Sequence, residues 1–371
     1  MERHHLPNFQ NFINQGVFAK TVSIFTTLTF PNHYSMVTGL NADKTGIVGN
    51  SMYDRFMDQS FNMACCNEDN LWWQQNPNTL PIWQANQRLS PNRKSGATGF
   101  VGSLAPICGM NVYKALQYSD DRTFKEIVDT MVQWFTDKND PLNFISIYFF
   151  EPDKSGHNFG PLSSNMNSTL NDCDNLLGYI KEQMSNYGIW DSTDIIITTD
   201  HGMTSVHPSK SIVLEEHIDL SKCIIKNALS IANIHVKEVN FLTAIHHNLS
   251  NIPNIRVYYR ATVPREYRYN NNIRIGDVVL LPDFGYIIFE TKSDRDRSTI
   301  RGTHGYNNSH PDMLGIFAAR GPNIAVLPMN SNKMINITDV YPLMEELLHL
   351  PRHNVDGSYE NIKEFLKTTS K

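Results

Sequence analysis

Five short stretches of this chain carry side chains suited to work on a phosphate ester: Thr29-Phe30-Pro31-Asn32-His33, Gly46-Ile47-Val48-Gly49-Asn50, Glu151-Pro152-Asp153-Lys154-Ser155-Gly156-His157, Thr199-Asp200-His201-Gly202-Met203 and Thr303-His304-Gly305-Tyr306. Among them, Thr29, Asn50, Asp153, Asp200, His157, His201 and His304 supply a hydroxyl, an amide, two carboxylates and three imidazoles. Two zinc ions with three or four protein ligands each would draw on that mixture of nitrogen and oxygen donors. Asp153 and His157 have the i, i+4 spacing that, on a helical turn, sets both side chains on one face, able to hold one ion. Asp200 and His201 are neighbours at the end of an apolar run, where a strand-to-loop bend can turn both toward one ion. A threonine hydroxyl such as Thr29 is a poor nucleophile at neutral pH and needs a metal to lower its pKa. An amide such as Asn50 suits the phosphate oxygen that gains charge during transfer. Each stretch alone also has an ordinary reading. Thr29 reads as a helix N-cap or turn threonine, Asn50 after Gly49 as a turn residue, and Asp153 as an N-cap beside a surface histidine.

These residues need a framework, and the hydrophobic pattern supplies one. Phe9, Phe12 and Ile13 recur at helical spacing with Gly16 as a stop. Residues 17–25 are apolar and β-branched, a strand that feeds the Thr29 loop. Pro31 suits a helix entrance, which predicts a helix over 33–40. Residues 143–150 and 194–198 read as buried strands, with 151–157 a loop after the first and Asp200 at the end of the second. Helices are expected over 122–137 and 170–187. Continuous apolar strands alternating with helices indicate a parallel sheet covered on both faces, with ligands presented at strand ends. Residues 51–120 read as irregular, and Trp72, Trp73 and Trp83 within them as structural. Between 210 and 300 the pattern is more antiparallel, with short strands at 256–259, 278–281 and 286–289. No repeat or interdomain linker divides the 371 residues.

The totals narrow the class. A content of 40% hydrophobic and 19% charged residues fits a globular protein with a large core. A net charge of −5 argues against nucleic-acid polymers or anionic membranes as main partners. No apolar run is long enough to span a membrane and no signal peptide opens the chain, which taken literally indicates the cytosol. Four glycosylation sequons, at Asn167, Asn248, Asn307 and Asn336, lean the other way. The five cysteines show no metal-binding spacing, at least one is unpaired, and adjacent Cys65 and Cys66 are not expected to bond to each other.

In this order, from about Leu6 to Tyr359, the motifs resemble the ectonucleotide pyrophosphatase/phosphodiesterase family, most closely its fourth and fifth members. The resemblance implies an α/β, alkaline-phosphatase-like fold: a central, mostly parallel sheet flanked by helices on both faces, with a smaller antiparallel β insertion. Residues 1–371 would form a single phosphodiesterase catalytic domain. Thr29 would be the nucleophile, and Asn50 the donor that contacts the phosphate. Asp153, His157 and His304 would hold one zinc; Asp200, His201 and Thr29 would hold the second. Phe30 and Tyr118 would sandwich a nucleobase. Substrates would be dinucleoside polyphosphates, NAD-like dinucleotides or nucleoside triphosphates, cleaved in two steps to release a nucleoside monophosphate. The family's place is outside the cell or at its surface, with a membrane anchor in relatives.

Two departures stand out. Leu28 replaces the lysine usual before the nucleophile. The family's opening strand, with its VDGFR-like segment and metal-binding Asp, has no counterpart here, so the chain reads as incomplete at its N-terminus, with a central strand lost and the second zinc site weakened. Two other expectations therefore accompany the main one: a catalytically impaired surface or secreted glycoprotein, and a choline or lipid phosphodiesterase.

Overall fold

The computed structural model describes residues 5–63, 67–329 and 332–368. Its core is an α/β layer structure. One sheet runs in the order Met334–Asn336, Gly16–Val22, Gly315–Arg320, Ile195–Thr198; a second runs Lys114–Leu116, Ser95–Thr98, Phe144–Ile147. The second sheet is parallel throughout. In the first, the Gly315–Arg320 strand runs antiparallel to both neighbours, in register Phe18 with Ala318 and Ile197 with Ala318.

Side chains alternate between two cores, because successive strand residues point to opposite faces. Val17, Ala19, Phe317 and Ala319 face one core, with Phe144 and Ile196 against it. Phe18, Ala318, Ile145, Ile147, Ile195 and Ile197 face the other. Helices Thr29–Thr38, Ile82–Leu89 and Val340–Leu347 cover the first face; helices Pro7–Ile13, Phe124–Thr136 and Ser164–Asn186 cover the second. Both faces are thus buried, which is why these strands are apolar without alternation. Among the described residues, no ladder joins the Ile195–Thr198 strand to the Phe144–Ile147 strand, although the two share both cores.

The expected insertion is present. Strands Cys223–Lys226, Ala232–Val236, Val278–Pro282 and Ile255–Tyr259 form an antiparallel sheet in that order, backed by helix Leu242–Ser250 around Ile234, Leu249 and Leu280.

Several expectations need correcting. The helix foreseen from His33 begins at Thr29, because Pro31 sits inside its first turn, where its missing N–H costs nothing. Residues 51–120 are not irregular: they contain the Ser51–Asp54/Gln59–Asn62 hairpin, helix Ile82–Leu89 and the buried Ser95–Thr98 strand. That strand is Ser-Gly-Ala-Thr, and it escapes hydropathy reading because Gly96 makes room for Trp134 and Leu142, which supply the apolar surface instead. The 151–157 stretch is largely helix, Asp153–Phe159. Ile287–Phe289 pairs parallel with Ser211–Val213, outside the antiparallel sheet. The three tryptophans at 72, 73 and 83 are fully buried, as expected. Cys108, Cys173 and Cys223 are free; Cys65 and Cys66 lie outside the described residues. No helix of the described residues is long and apolar enough to cross a membrane.

Candidate active site

Thr29 is the first residue of its helix, and the geometry around it is set by one amide. The Phe30 N–H donates to Asn50 Oδ1 at 2.8 Å. With its oxygen so engaged, the Asn50 carboxamide turns its Nδ2 toward Thr29 Oγ1, 3.5 Å away. His201 Nε2 lies 3.5 Å from the same hydroxyl on another side. Arg274 braces the loop that carries Asn50. Its buried guanidinium pairs with Asp54 at 2.8 Å, donates to the carbonyls of Gly46 and Trp72, and lies over the Trp72 ring. Leu28 is buried in the core directly before Thr29.

The Asp153–Phe159 helix carries Asp153 and His157 on one face, 3.4 Å apart. Glu151 caps it by accepting from the Ser155 N–H and hydroxyl, both at 3.0 Å. Two glycines let this helix meet the strand before His304. A Cβ on Gly302 would lie 2.4 Å from the Gly156 carbonyl, and one on Gly156 would lie 2.3 Å from Met203 Sδ. The close approach brings His157 Nε2 to 3.2 Å from His304 Nε2, and His304 Nε2 to 3.7 Å from Asp153 Oδ1. Pairing of Thr303 with Thr204 places His304 against His201, their rings stacked at 3.4 Å. Asp200 Oδ2 sits 3.1 Å from His201 Nε2 and 3.2 Å from His33 Nδ1.

A common device orients the three imidazoles. His157 Nδ1 donates to the Gly302 carbonyl at 2.8 Å, His201 Nδ1 to the Gly202 carbonyl at 2.8 Å, and His304 Nδ1 to the Thr27 carbonyl at 2.7 Å. A carbonyl can only accept, so each ring carries a proton on Nδ1 and turns its Nε2 inward, where the neutral ring would offer a lone pair to a metal. Asp153 Oδ1 is buried with no hydrogen-bond partner, and buried Asp200 Oδ2 has the His201 and His33 nitrogens beside it. Imidazole nitrogens and anionic oxygens converging in this way are what a divalent cation would satisfy. Asp153, His201 and His304 alone place one ligand atom each within 4.8 Å of one another. The residues present fit a metal.

Charge couplings agree. Burial pushes the Asp153 carboxyl up, but His157, His304 and His201 outweigh it and hold it below the usual range. Burial likewise opposes ionisation of Asp200, and His201 and His33 reverse the effect, leaving its pKa well below normal. His201 is depressed by burial and raised further by Asp200 and Asp153, to about 9. His304 is pushed down to about 3, first by burial and then by His201. Burial lowers His157 too, but Asp153 outweighs it and raises that imidazole, so imidazole protons stand in this cluster where a cation would.

The structure therefore brings together Thr29, Asn50, Asp153, His157, Asp200, His201 and His304. The two ligand groups foreseen as separate adjoin each other, with His201 lying against His304. Phe30 is 8% exposed and packs on Phe61 and Trp73, so only a small part of its ring faces outward. Tyr118 is half-exposed, beside Tyr148 and Phe150, with its hydroxyl donated to Asp120, which also pairs with Lys154. Sequence reasoning gave no role to His33, though it lies four residues after Thr29 inside the first motif. It also missed Thr27, whose carbonyl holds His304 and whose hydroxyl accepts from the Gly305 N–H at 2.8 Å.

Comparison with known proteins points the same way. The profile of the type I phosphodiesterase / nucleotide pyrophosphatase family matches residues 1–307. The human bis(5'-adenosyl)-triphosphatase ENPP4 is 35% identical over 366 residues, covering 98% of this chain and 78% of that protein. Human ectonucleotide pyrophosphatase/phosphodiesterase family member 5 is 34% identical over 370 residues, with 98% and 74% covered. The solved murine member 5 superposes with a TM-score of 0.92 at 32% identity, covering 98% of this chain and 95% of that one. An inactive form of that murine protein, in complex with AMP, matches equally well. The chain belongs to the type I phosphodiesterase / nucleotide pyrophosphatase family, whose alkaline-phosphatase-like fold it shares.

Proposed function

We propose that this member of the type I phosphodiesterase / nucleotide pyrophosphatase family is a zinc-dependent hydrolase of nucleotide phosphodiester and phosphoanhydride bonds, releasing nucleoside monophosphates. The reading rests on one observation. The Thr29 hydroxyl stands between the Asn50 amide and His201 Nε2, beside a cluster of buried carboxylates and inward-facing imidazoles. The names of ENPP4 and of family member 5, and the AMP held by the murine relative, support a nucleotide substrate.

Two zinc ions are the group that fits this reading: Asp153, His157 and His304 would hold one, and Asp200, His201 and Thr29 the other. Bound there, they would lower the pKa of the Thr29 hydroxyl and neutralise phosphate charge. Asp200 and His201 offer two strong ligands besides the hydroxyl, so the second ion would be held more loosely. The chain's own part is as follows. Thr29 Oγ attacks the phosphorus, and the P–O bond to the departing group breaks as the new one forms. Asn50 Nδ2 donates to a non-bridging oxygen as its charge grows. Water then opens the phosphothreonine, restoring the hydroxyl and freeing the nucleoside monophosphate. Tyr118, with the exposed part of Phe30, would stack on the base, worth about 1–3 kcal/mol. The chain would act as one catalytic domain, outside the cell or at its surface; the exposed sequon asparagines Asn167, Asn248 and Asn336 support that location.

The test is zinc-dependent release of AMP from diadenosine triphosphate, by this chain and by its Thr29→Ala form. Release that disappears in the variant is expected; equal release from both would refute the role of Thr29.

A further inference from the structure

Asn50 and His304 come from distant parts of the chain, yet a single turn of the insertion touches the neighbourhood of both. After strand Cys223–Lys226 the chain enters the left-handed region at Asn227, with φ 60°, and turns through Ala228–Ser230 before strand Ala232–Val236. On one side, Asn227 and Ser51 exchange hydrogen bonds. Asn227 Oδ1 accepts from the Ser51 N–H at 2.8 Å and from its hydroxyl at 3.3 Å, while the Asn227 N–H donates back to Ser51 Oγ at 3.0 Å. The same carboxamide lies on Gly49, where a Cβ would come within 2.0 Å of Asn227 Nδ2. Both neighbours of Asn50 are thus held by Asn227. On the other side, the Ser230 hydroxyl donates to the His304 carbonyl, and a Cβ on Gly305 would lie 2.0 Å from Ser230 Oγ.

We infer that the Asn227–Ser230 turn is a positioning element of the catalytic site: Asn227 acts through Asn50 and Ser230 through His304, so that the turn sets the distance between the phosphate-facing amide and the metal-facing edge. Asn50 has one oxygen contact of its own, to Phe30, and its Nδ2 is aimed by the backbone that Asn227 grips. A displacement on the order of 1 Å at such a group can cost about 10²-fold in rate. The inference rests on the hydrolase reading for its kinetic arm only.

The decisive comparison is between Asn227→Gly and Asn227→Asp. Glycine tolerates the positive φ but lacks the carboxamide; aspartate keeps an oxygen able to accept from Ser51. Asn227→Gly should lower kcat for diadenosine triphosphate by about tenfold or more, with KM little changed and Asn227→Asp recovering most of the loss. In an Asn50→Ala background, Asn227→Gly should cost almost nothing further, because its effect runs through Asn50. Full additivity in that background overturns the assignment, as does an unaltered kcat. A second arm needs no activity. Amide hydrogen exchange of the segment spanning Gly49 to Ser51 should quicken in Asn227→Gly and stay slow in Asn227→Asp. Unchanged exchange there refutes the brace, whereas quickened exchange in Asn227→Gly together with a wild-type protein that does not cleave the substrate refutes the hydrolase reading and leaves the brace standing.

Discussion

His157 and His304 face each other Nε2 to Nε2 at 3.2 Å, each with its own proton donated to a backbone carbonyl on the far side of the ring. When both rings are neutral, two lone pairs meet at hydrogen-bond distance with no hydrogen between them and repel each other. Asp153, within 4 Å of both nitrogens, adds a negative charge rather than a donor. A cation between them would satisfy both nitrogens and the carboxylate, and that makes the pair a sensitive reporter of metal.

Zinc should therefore raise the unfolding midpoint of chelated protein. Saturation a hundredfold above the dissociation constant corresponds to about 2.7 kcal/mol. Differential scanning fluorimetry with and without zinc measures this directly. His304→Ala should flatten the response, and a wild-type midpoint indifferent to zinc would contradict the metal assignment.

Removing the Thr29 hydroxyl separates binding from turnover. Thr29→Ala should lose activity by about 10³-fold or more, while zinc still raises its midpoint, since the imidazoles and carboxylates remain. Thr29→Ser keeps a hydroxyl and should retain measurable AMP release. Initial rates on diadenosine triphosphate decide between these outcomes.

Asn50→Ala deletes the amide donor and should lower kcat by about 10²-fold. Asn50→Asp should be at least as harmful, because a carboxylate would face the phosphate and could no longer donate. Steady-state kcat and KM for the two variants test this; an active Asn50→Asp enzyme would argue against the contact.

Zinc uptake should depend on pH through His201. Its folded pKa, about 9, lies above the ordinary imidazole value of 6.5. In metal-free protein the charged ring's stabilising contribution is thus complete below the unfolded pKa and disappears as pH rises through about 9. Zinc must expel that proton, so its apparent affinity should climb by about tenfold per pH unit across this window. Titrations at three pH values suffice, and a flat profile would show that His201 is not protonated in the free protein.

Arg274→Ala should destabilise the fold by about 3–5 kcal/mol, because it strands the buried Asp54 carboxylate and frees the carbonyls of Gly46 and Trp72. Replacing both charges, Arg274→Met with Asp54→Leu, should cost less. Denaturant melts of the two variants give the comparison.

What the sequence disclosed follows from the range of each interaction. Asp153 with His157 was legible because one helical turn fixes their relation, and Asp200-His201 because a strand end does. The insertion was legible from the alternation in residues 256–259 and 278–281, although Ile287–Phe289, equally apolar, went to a different partner. The Ser95–Thr98 strand was invisible because its apolar covering comes from Trp134 and Leu142, far along the chain. Asn227 and Ser230 were invisible for the same reason. A turn asparagine looks alike whether it meets solvent or grips Ser51, and only the closed fold tells the two apart.

That the three imidazoles lean on carbonyls of Thr27, Gly202 and Gly302 changes where genetic damage can enter. A carboxylate behind a metal-binding histidine can be deleted by a single codon change; a peptide oxygen cannot. Missense variants at these three positions leave the oxygen in place and harm the site only by shifting the chain. The fragile positions are the crowded ones, such as Gly202, where a Cβ would lie 2.1 Å from the Asp312 carbonyl. An inherited glycine-to-alanine change there would unsettle His201 without touching a ligand, and a screen for altered metal-binding side chains would pass over it.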